Sequence, residues 1–218
     1  MLNLNDFSRE VHQNAKDHGW WEEEHSKEEI FACIHSEWSE ALEEYRAKRP
    51  MVWYNTCDAG DDCGGGGRCG ADVFECVCKG HATQGGCPGG HKPEGIAVEL
   101  IDGCLRILNV FSEYGYTCQS STISQLNKRM RISNPLLSKD TSLCTVICAL
   151  HSLTVAACDR AFGLHAKEVI AEAIKPLEVA MGVAFFWIAE NGLNPEALLL
   201  EKHEYNKTRP YKHGGKRC

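Results

Sequence analysis

The 218-residue sequence lacks an excess of positive charge, a long apolar run and any convincing β-strand pattern. Its 23 lysines and arginines are outnumbered by 30 aspartates and glutamates, so the chain has no general affinity for nucleic acid or polyphosphate. A phosphate-bearing partner would need a local cationic patch or a bridging metal, and the metal is the better explanation. The longest apolar stretch, Ala180–Ala189, is too short to cross a bilayer. We therefore expect no nucleic-acid and no membrane partner.

The first residues also lack a charged leader followed by an apolar segment, so we expect no secretory signal and a cytoplasmic location. In that compartment the thirteen cysteines indicate reduced thiols or metal ligands rather than a disulfide framework. The glycines at 64–67 are not followed by a lysine and a serine, which argues against a phosphate-binding loop.

Helical periodicity is what the sequence does contain. Apolar residues recur with a 3.6-residue period over most of the chain, which predicts an all-α helical bundle. Ser26 with Glu29 forms a capping box, Pro93 and Pro195 suit first turns, and Gly192 follows a helix end. The predicted helices are Asn3–His18, Ser26–Lys48, Pro93–Tyr114, Asp140–Phe162, Ala166–Asn191 and Pro195–Lys207.

The composition changes abruptly between residues 51 and 90, where glycine and cysteine replace the aliphatic residues. Such a segment cannot supply its own core. We therefore predict a discontinuous helical domain of residues 1–50 and 91–218, with a Cys/Gly-rich insertion at 51–90. Its spacing does not match a pair of CxxC motifs, so a Zn²⁺ site and a flexible, reduced loop are equal alternatives. The candidate zinc ligands are Cys57, Cys63, Cys69, Cys76, Cys78 and Cys87.

Part of the second half resembles a degenerate repeat of the first. Residues 34–43 align with 150–159, and the helix end at 112–115 aligns with 189–192. An internally duplicated pseudo-dimer is one hypothesis, and two unrelated amphipathic helices are the other. In this alignment the acids are lost, since Glu37, Glu40, Glu99 and Asp102 correspond to Leu153, Ala156, Pro176 and Val179.

Acidic side chains occupy positions on the second predicted helix that should be buried. On a helical wheel Glu37 falls beside the apolar arc, between the directions of Cys33 and Ile34. Glu40 and Glu44 project from the neighbouring edge. A buried glutamate must be paired, protonated or bound to a metal, because an unpaired buried charge costs several kcal/mol.

The helix predicted after Pro93 is apolar around most of its circumference, which indicates a helix buried on nearly all sides. Its narrow polar stripe begins with Glu99, Asp102 and Arg106. Two helices that each present two acids could hold four carboxylates around Mg²⁺ or Mn²⁺, which prefer oxygen ligands. The alternative is that the acids are ordinary surface groups that pair with basic residues such as Arg106.

Three strings in the sequence then match a known family. HSEWSEALEEYR at 35–46, KPEGIAVELIDGCLRIL at 92–108 and KHEYNKTRPYKHGGK at 202–216 resemble MazG-like proteins of the all-α NTP pyrophosphatase superfamily. That family carries an ExxE motif followed by ExxD on the next helix, matched here by Glu37 with Glu40 and by Glu99 with Asp102. Many members have a glutamate where this chain has Ser36, and their loop between the acidic helices is far shorter.

The resemblance implies a helical bundle of the all-α NTP pyrophosphatase type, in which the four acids bind Mg²⁺ and a nucleoside triphosphate is hydrolysed to the monophosphate and pyrophosphate. Glu37 and Glu40 would be the catalytic acids, and Glu40 would orient or deprotonate the attacking water. Family members assemble as dimers or tetramers, so we expect a homo-oligomer or an intramolecular pseudo-dimer. The residues implied to contact the nucleotide are Lys202, Asn206, Arg209 and Lys216.

A second class of function is a non-catalytic, zinc-stabilised interaction module on a degenerate MazG-like scaffold. The clustered cysteines and the acid-free second copy favour it, whereas the four retained acids and the complete C-terminal string favour catalysis. Trp20, Trp21 and Trp38 are better explained as core or pocket walls than as a stacking platform for nucleic acid, although one of them could stack on a base.

Overall fold

The computed structural model describes residues 1–55, 92–133 and 137–214, and these residues form a mostly helical protein. A short 3-10 turn at Trp20–Glu22, here called the tryptophan turn, follows the first helix, and another 3-10 turn lies at Tyr211–Gly214. The helices are α1 (Leu4–Asp17), α2 (Lys27–Arg46), α3 (Ile96–Tyr114), α4 (Ile123–Ser133), α5 (Leu143–Ala161), α6 (Lys167–Ala173), α7 (Pro176–Glu190) and α8 (Pro195–Lys207).

The all-α prediction is confirmed for these residues, but one helix was predicted wrongly and another was missed. The long helix expected at Ala166–Asn191 is two helices, α6 and α7, because Pro176 has no N–H to continue the helical ladder and instead starts α7. Helix α4 was missed, since only Ile123, Leu126 and Met130 bury apolar side chains on an otherwise polar segment.

The prediction that no strands occur was also wrong. Strand β1 (Trp53–Asn55) pairs antiparallel with strand β2 (Lys92–Glu94), so Pro93 belongs to a strand and not to a helix start. Helix α3 begins after Gly95, whose φ of 114° is a conformation that side-chain-bearing residues rarely adopt. The two strands place residues 55 and 92 opposite each other. The division of the chain into a helical domain and an insertion stays a prediction.

Helix α3 lies at the centre of the fold. Helices α1, α2, α7 and α8 all pack against it, and α5 contacts both α2 and α7. Thirteen of its residues are buried, and each large aliphatic side chain among them contributes about 1.5–3 kcal/mol by leaving water. The central position of α3 means that its polar stripe must face a site or a partner inside the fold.

Helices α2 and α5 meet at positions that the sequence alignment pairs. Trp38 donates its indole N–H to Thr154 Oγ1 at 3.0 Å, and the rings of His35 and His151 stack with centroids 5.0 Å apart. In the same way α8 packs on α3 and α4 packs on α7. The two halves therefore share an arrangement in which each short helix contacts the long helix of the other half.

Helix α5 is long and apolar enough to meet the length and composition of a membrane span, with a mean hydropathy of 1.3. It also buries Val146, Ile147 and Leu150 in the helical core, and buried core helices of other proteins meet the same criterion.

Candidate functional site

The two acidic helices approach closely because of a glycine. Gly103 lies on α3 against the fully buried indole of Trp38 on α2, and a Cβ at this position would come within 2.2 Å of the ring. Any larger residue would push the helices apart, since the indole is enclosed and cannot move aside. The Gly103–Trp38 contact therefore sets the spacing of the acids that flank it.

Three carboxylates converge between α2 and α3. One oxygen from each of Glu37, Glu40 and Glu99 lies within 4.8 Å of the other two. Glu37 and Glu99 are buried, whereas Glu40 is exposed to solvent. The burial predicted for Glu37 from the helical wheel is confirmed, and the cluster combines two enclosed acids with one that reaches water.

The cluster perturbs the proton affinity of its two buried members. Burial, reinforced by the charge of Asp102, raises the pKa of Glu99 to about 8, although Lys202 opposes this shift. Burial also raises the pKa of Glu37, against the lowering effect of the Arg106 guanidinium. Like charges held together in a poorly solvated place favour the protonated form, and a divalent cation would relieve the same repulsion.

Two basic side chains flank the acids. The Arg106 guanidinium contacts Glu37 through its Nε–H, one turn after Asp102 on α3. The Lys202 ammonium, only 3% exposed, lies 2.8 Å from Asp102 Oδ2 and donates to the Pro93 carbonyl oxygen at 3.1 Å. The alternative considered from sequence, in which the acids pair with Arg106, is therefore correct for Glu37. It does not apply to Glu40 and Glu99, whose carboxylates still lie close to each other.

Of the four predicted metal ligands, the structure brings three into one cluster. The carboxylate of Asp102 is held by Lys202 instead, and it remains close enough to influence Glu37 and Glu99 electrostatically. The sequence could not separate Asp102 from Glu99, because both lie on the same stripe of α3 and only the docking of α8 distinguishes them.

The predicted nucleotide-contacting residues are only partly placed. Lys202 contacts Asp102 beside the acids. Among the described residues, no hydrogen bond or ion pair links Asn206 or Arg209 to these acids. Asn206 Oδ1 is buried and has no hydrogen-bond partner within the described ranges. Lys216 and the six candidate zinc ligands between 57 and 87 lie outside the residues that the structure describes.

A narrow pocket adjoins the acids on the far side of Arg106. The space that it encloses is about 10 Å³, enough for one water molecule, and it is partly open to solvent. The tryptophan turn and the first residues of α2 form its walls, and α3 forms its floor. The lining residues are Trp20, Trp21, Ile30, Cys33, Arg106, Asn109 and Val110. Trp20 and Trp21 are thus pocket walls, as predicted, and Trp38 belongs to the core.

The C-terminal string reaches the same side of the molecule. Lys212 donates its backbone N–H to the His18 carbonyl oxygen at 3.0 Å, and its ammonium lies 3.0 Å from Glu22. Tyr211 also hydrogen-bonds to Glu22. These contacts attach the basic tail to the tryptophan turn, beside the pocket wall.

Sequence reasoning missed two charged residues, Lys92 beside the acids and Glu178 on another helix of the core. Lys92 on β2 pairs with Glu94 at 2.8 Å; its pKa is raised because Glu94 and the acids Glu99 and Asp102 outweigh the opposing effect of burial. Glu178 on α7 is 1% exposed and accepts hydrogen bonds from the other half of the chain. The signal for Glu178 was present, since it is an acid in the first turn of an otherwise apolar helix.

The site therefore offers an oxygen-ligand cluster between two buried helices, flanking cations and an aromatic pocket. Comparisons with family models, with curated proteins and with solved structures found no match for this chain. The resemblance to MazG-like proteins consequently rests on the three quoted strings, and the function rests on the geometry of the site.

Proposed function

We propose that this protein is a Mg²⁺-dependent nucleoside triphosphate pyrophosphohydrolase of the MazG-like type, which removes nucleotides from the cytoplasmic pool. The observation that carries the proposal is the convergence of Glu37, Glu40 and Glu99 within 4.8 Å of one another. Carboxylates this close are stabilised by a hard cation, and Mg²⁺ characteristically shares its coordination between protein carboxylates and substrate phosphates.

The donor set fits such an ion. The group of atoms consists of carboxylate oxygens alone, which suits Mg²⁺ or Mn²⁺ and not a soft metal. When bound, the ion neutralises the triphosphate and lowers the pKa of a coordinated water. Glu37, Glu40 and Glu99 would hold it, while Asp102 and Lys202 fix the position of α8 beside them.

Glu40 is the member of the cluster that can accept a proton from water. It is exposed, whereas Glu37 is engaged by Arg106 and Glu99 is enclosed. The water oxygen forms a bond to the α-phosphorus, the bond from that phosphorus to the bridging oxygen breaks, and pyrophosphate leaves. Glu40 takes the proton of the attacking water.

The flanking cations suit the negative charge that the reaction releases. Arg106 lies between the acids and the pocket, so its remaining N–H groups can donate to phosphate oxygens. Lys92 lies on the same side, near Glu99 and Asp102. Lys212 lies beside the pocket wall, where its ammonium pairs with Glu22 and Glu23.

We further propose that the chain is an intramolecular pseudo-dimer that carries one working site. The aligned pairs His35 with His151 and Trp38 with Thr154 contact each other, as equivalent positions do across a two-fold axis. Helix α8 of the second half completes the acids of the first through Lys202. A single chain should therefore hydrolyse nucleotides without a partner copy. Activity measured across a dilution series that separates oligomers into monomers checks this expectation.

The deciding experiment incubates the purified protein with a panel of nucleoside and deoxynucleoside triphosphates and Mg²⁺, and measures pyrophosphate release. We expect pyrophosphate and monophosphate in equal amounts, with no activity after chelation of the metal. Glu40→Gln keeps the shape of the side chain, so it should abolish turnover while circular dichroism stays unchanged. Release of inorganic phosphate and a diphosphate, or full activity of Glu40→Gln, would refute the proposed reaction.

A further inference from the structure

The tryptophan turn is attached to the central helix through one amide. The indole Nε1–H of Trp21 lies 3.0 Å from Asn109 Oδ1, and an indole nitrogen only donates, so the atom that faces it must be the carbonyl oxygen. His12 Nδ1 lies 2.7 Å from the same oxygen and therefore also donates. The amide of Asn109 thus ties the turn to α3, and His12 on α1 fixes the orientation of that amide.

This attachment places the neighbouring indole over Arg106. Asn109 follows Arg106 by three residues, so their side chains lie about one turn apart on the same stripe of α3. While Trp21 binds Asn109, the residue before it, Trp20, has the centroid of its ring 5.7 Å from the Arg106 guanidinium carbon. A guanidinium within about 6 Å of an indole centroid is attracted to the ring. The turn therefore covers Arg106 and restrains it.

The ring of Trp20 is in turn held by His25. The two rings stack with centroids 4.4 Å apart and an angle of 18° between their planes. His25 Nε2 lies 2.7 Å from the Trp20 carbonyl oxygen, to which it must donate. His25 Nδ1 lies 3.2 Å from the carboxylate of Glu29 in the first turn of α2. The turn, although only three residues long, is thus fixed to both α2 and α3.

Arg106 transmits this restraint to the acidic cluster. Its Nε–H contacts Glu37, whose carboxylate is one of the three that converge. The space between Arg106 and the turn is about 10 Å³, enough for one water molecule, so the guanidinium has little room to move away from Glu37. The contacts Asn109–Trp21, Trp20–Arg106 and Arg106–Glu37 form one chain, here called the tryptophan relay.

We propose that the tryptophan relay positions the metal ligand Glu37. Trp20, Trp21 and Asn109 are then positioning residues of the site, because they act through Arg106 and not by contact with the ion. Groups that hold a ligand in this way set the geometry that a metal meets, and their loss weakens its binding while the ligands themselves remain. This inference rests on the proposed function for the presence of a divalent ion at the acids.

Trp21→Phe is the sharpest test, because it keeps an aromatic ring and removes only the N–H that reaches Asn109. We expect the full chain to bind Mn²⁺ about tenfold more weakly in calorimetric titration, the lower end of the effect of losing a group that holds a ligand. The matched control is Trp187→Phe on α7, which removes an indole N–H that donates to the Thr141 carbonyl oxygen at 2.9 Å. It should leave the Mn²⁺ affinity unchanged, although it loses a comparable hydrogen bond.

Two substitutions of Trp20 test the contact with Arg106. Trp20→Leu removes the aromatic face and should weaken Mn²⁺ binding by about threefold, as expected for one cation–π contact at a partly exposed site. Trp20→Phe restores a ring and should recover most of the lost affinity. Equal affinities for the two variants would show that the ring does not restrain Arg106.

Hydrogen exchange of the Arg106 Nε–H in the metal-free protein, followed by ¹⁵N NMR, tests the relay without any ion. We expect this proton to exchange at least about tenfold more slowly than that of Arg46, whose side chain is 68% exposed, and Trp21→Phe to accelerate it. Equal exchange of the two arginines in the wild-type protein would overturn the relay. If Trp21→Phe loses its cooperative thermal transition, this comparison and the Trp20 pair still decide.

The two proposals fail in different ways. Unchanged Mn²⁺ affinity in Trp21→Phe, with nucleotide hydrolysis by the wild-type protein, would overturn the relay and leave the reaction standing. Mn²⁺ binding that Trp21→Phe weakens, without hydrolysis of any nucleotide, would overturn the reaction and support the relay. A wild-type protein that binds no Mn²⁺ would overturn both.

Discussion

The pair of helices α2 and α3 and the pair α5 and α7 hold their acidic side chains in opposite ways. In the first pair Glu37, Glu40 and Glu99 crowd together, and the pKa of Glu99 rises to about 8 through burial and the charge of Asp102. In the second pair one acid, Glu178, stands alone in the apolar start of α7.

Glu178 is fully satisfied by hydrogen bonds. Tyr116 donates its hydroxyl at 2.5 Å, the backbone N–H groups of Gln119 and Ser120 donate at 3.0 and 3.1 Å, and Arg129 pairs with it at 3.0 Å. A carboxylate with four donors needs no metal and fixes the segment between α3 and α4. The comparison shows that a buried acid marks a site for chemistry when its neighbours are other acids, and a structural anchor when its neighbours are donors.

The largest expected effect concerns that anchor. Glu178→Ala should lower the free energy of unfolding by about 3 kcal/mol, because two buried donors and one partly buried donor lose their acceptor while Arg129, which is partly exposed, returns to water. Urea denaturation measures the change. Glu190→Ala, which removes a more exposed partner of Arg131, is the control and should cost less than about 1 kcal/mol. Equal losses for both variants would show that Glu178 anchors nothing.

Glu99→Gln should have the opposite effect: it should weaken metal binding without lowering the stability of the fold. Replacement of a ligand should weaken Mn²⁺ binding by at least about 100-fold, while the free energy of unfolding without metal stays the same or rises, because a neutral amide relieves repulsion among the acids. Calorimetric titration with Mn²⁺ provides the measurement. Glu178→Gln is the matched control and should bind Mn²⁺ normally; a loss there, with retention in Glu99→Gln, would reverse the roles assigned to the two acids.

Two glycines on buried helices, Gly103 on α3 and Gly182 on α7, give the next test. Gly103→Ala puts a methyl group 2.2 Å from the enclosed Trp38 ring, so overpacking of about 1–3 kcal/mol outweighs the gain in helix propensity. Gly182→Ala on α7 meets the flexible Met130 side chain at 2.9 Å and should be close to neutral. Thermal unfolding compares the two variants. Gly103→Ala should also weaken Mn²⁺ binding, since it separates the acidic helices.

The last prediction is a dependence on pH. The folded pKa of Glu99, about 8, exceeds its ordinary value of 4.5, so between these values the folded protein holds a proton that the unfolded chain has lost. Without divalent ions, stability should therefore fall as pH rises from 5 to 8. Mn²⁺ affinity should rise over the same range, by at most about tenfold per pH unit for this one group, because the ion binds the deprotonated carboxylate. Both trends should flatten in Glu99→Gln, and a wild-type Mn²⁺ affinity independent of pH would contradict the shift.

Much of the site could be predicted because it follows helical periodicity. The wheel placed Glu37 at the apolar margin of α2, and the narrow stripe of α3 contained Glu99, Asp102 and Arg106 in order. Helical periodicity could not predict how the acidic stripes of α2 and α3 face each other, because their orientation depends on the packing of Trp38 onto Gly103. The contacts of Asn109 were equally hidden, since its partners His12 and Trp21 are about 90 residues away in sequence.

The amino-acid order by itself determined the helices with strong apolar periodicity, their caps and the two acidic stripes, because these depend on neighbours within a few turns. Tertiary structure alone decided that Glu40 and not Asp102 joins Glu37 and Glu99, that Lys202 binds Asp102, and that Glu178 is an anchor. Those outcomes depend on which helix packs beside which, and the free energy of a buried charge is set by the groups that surround it in space.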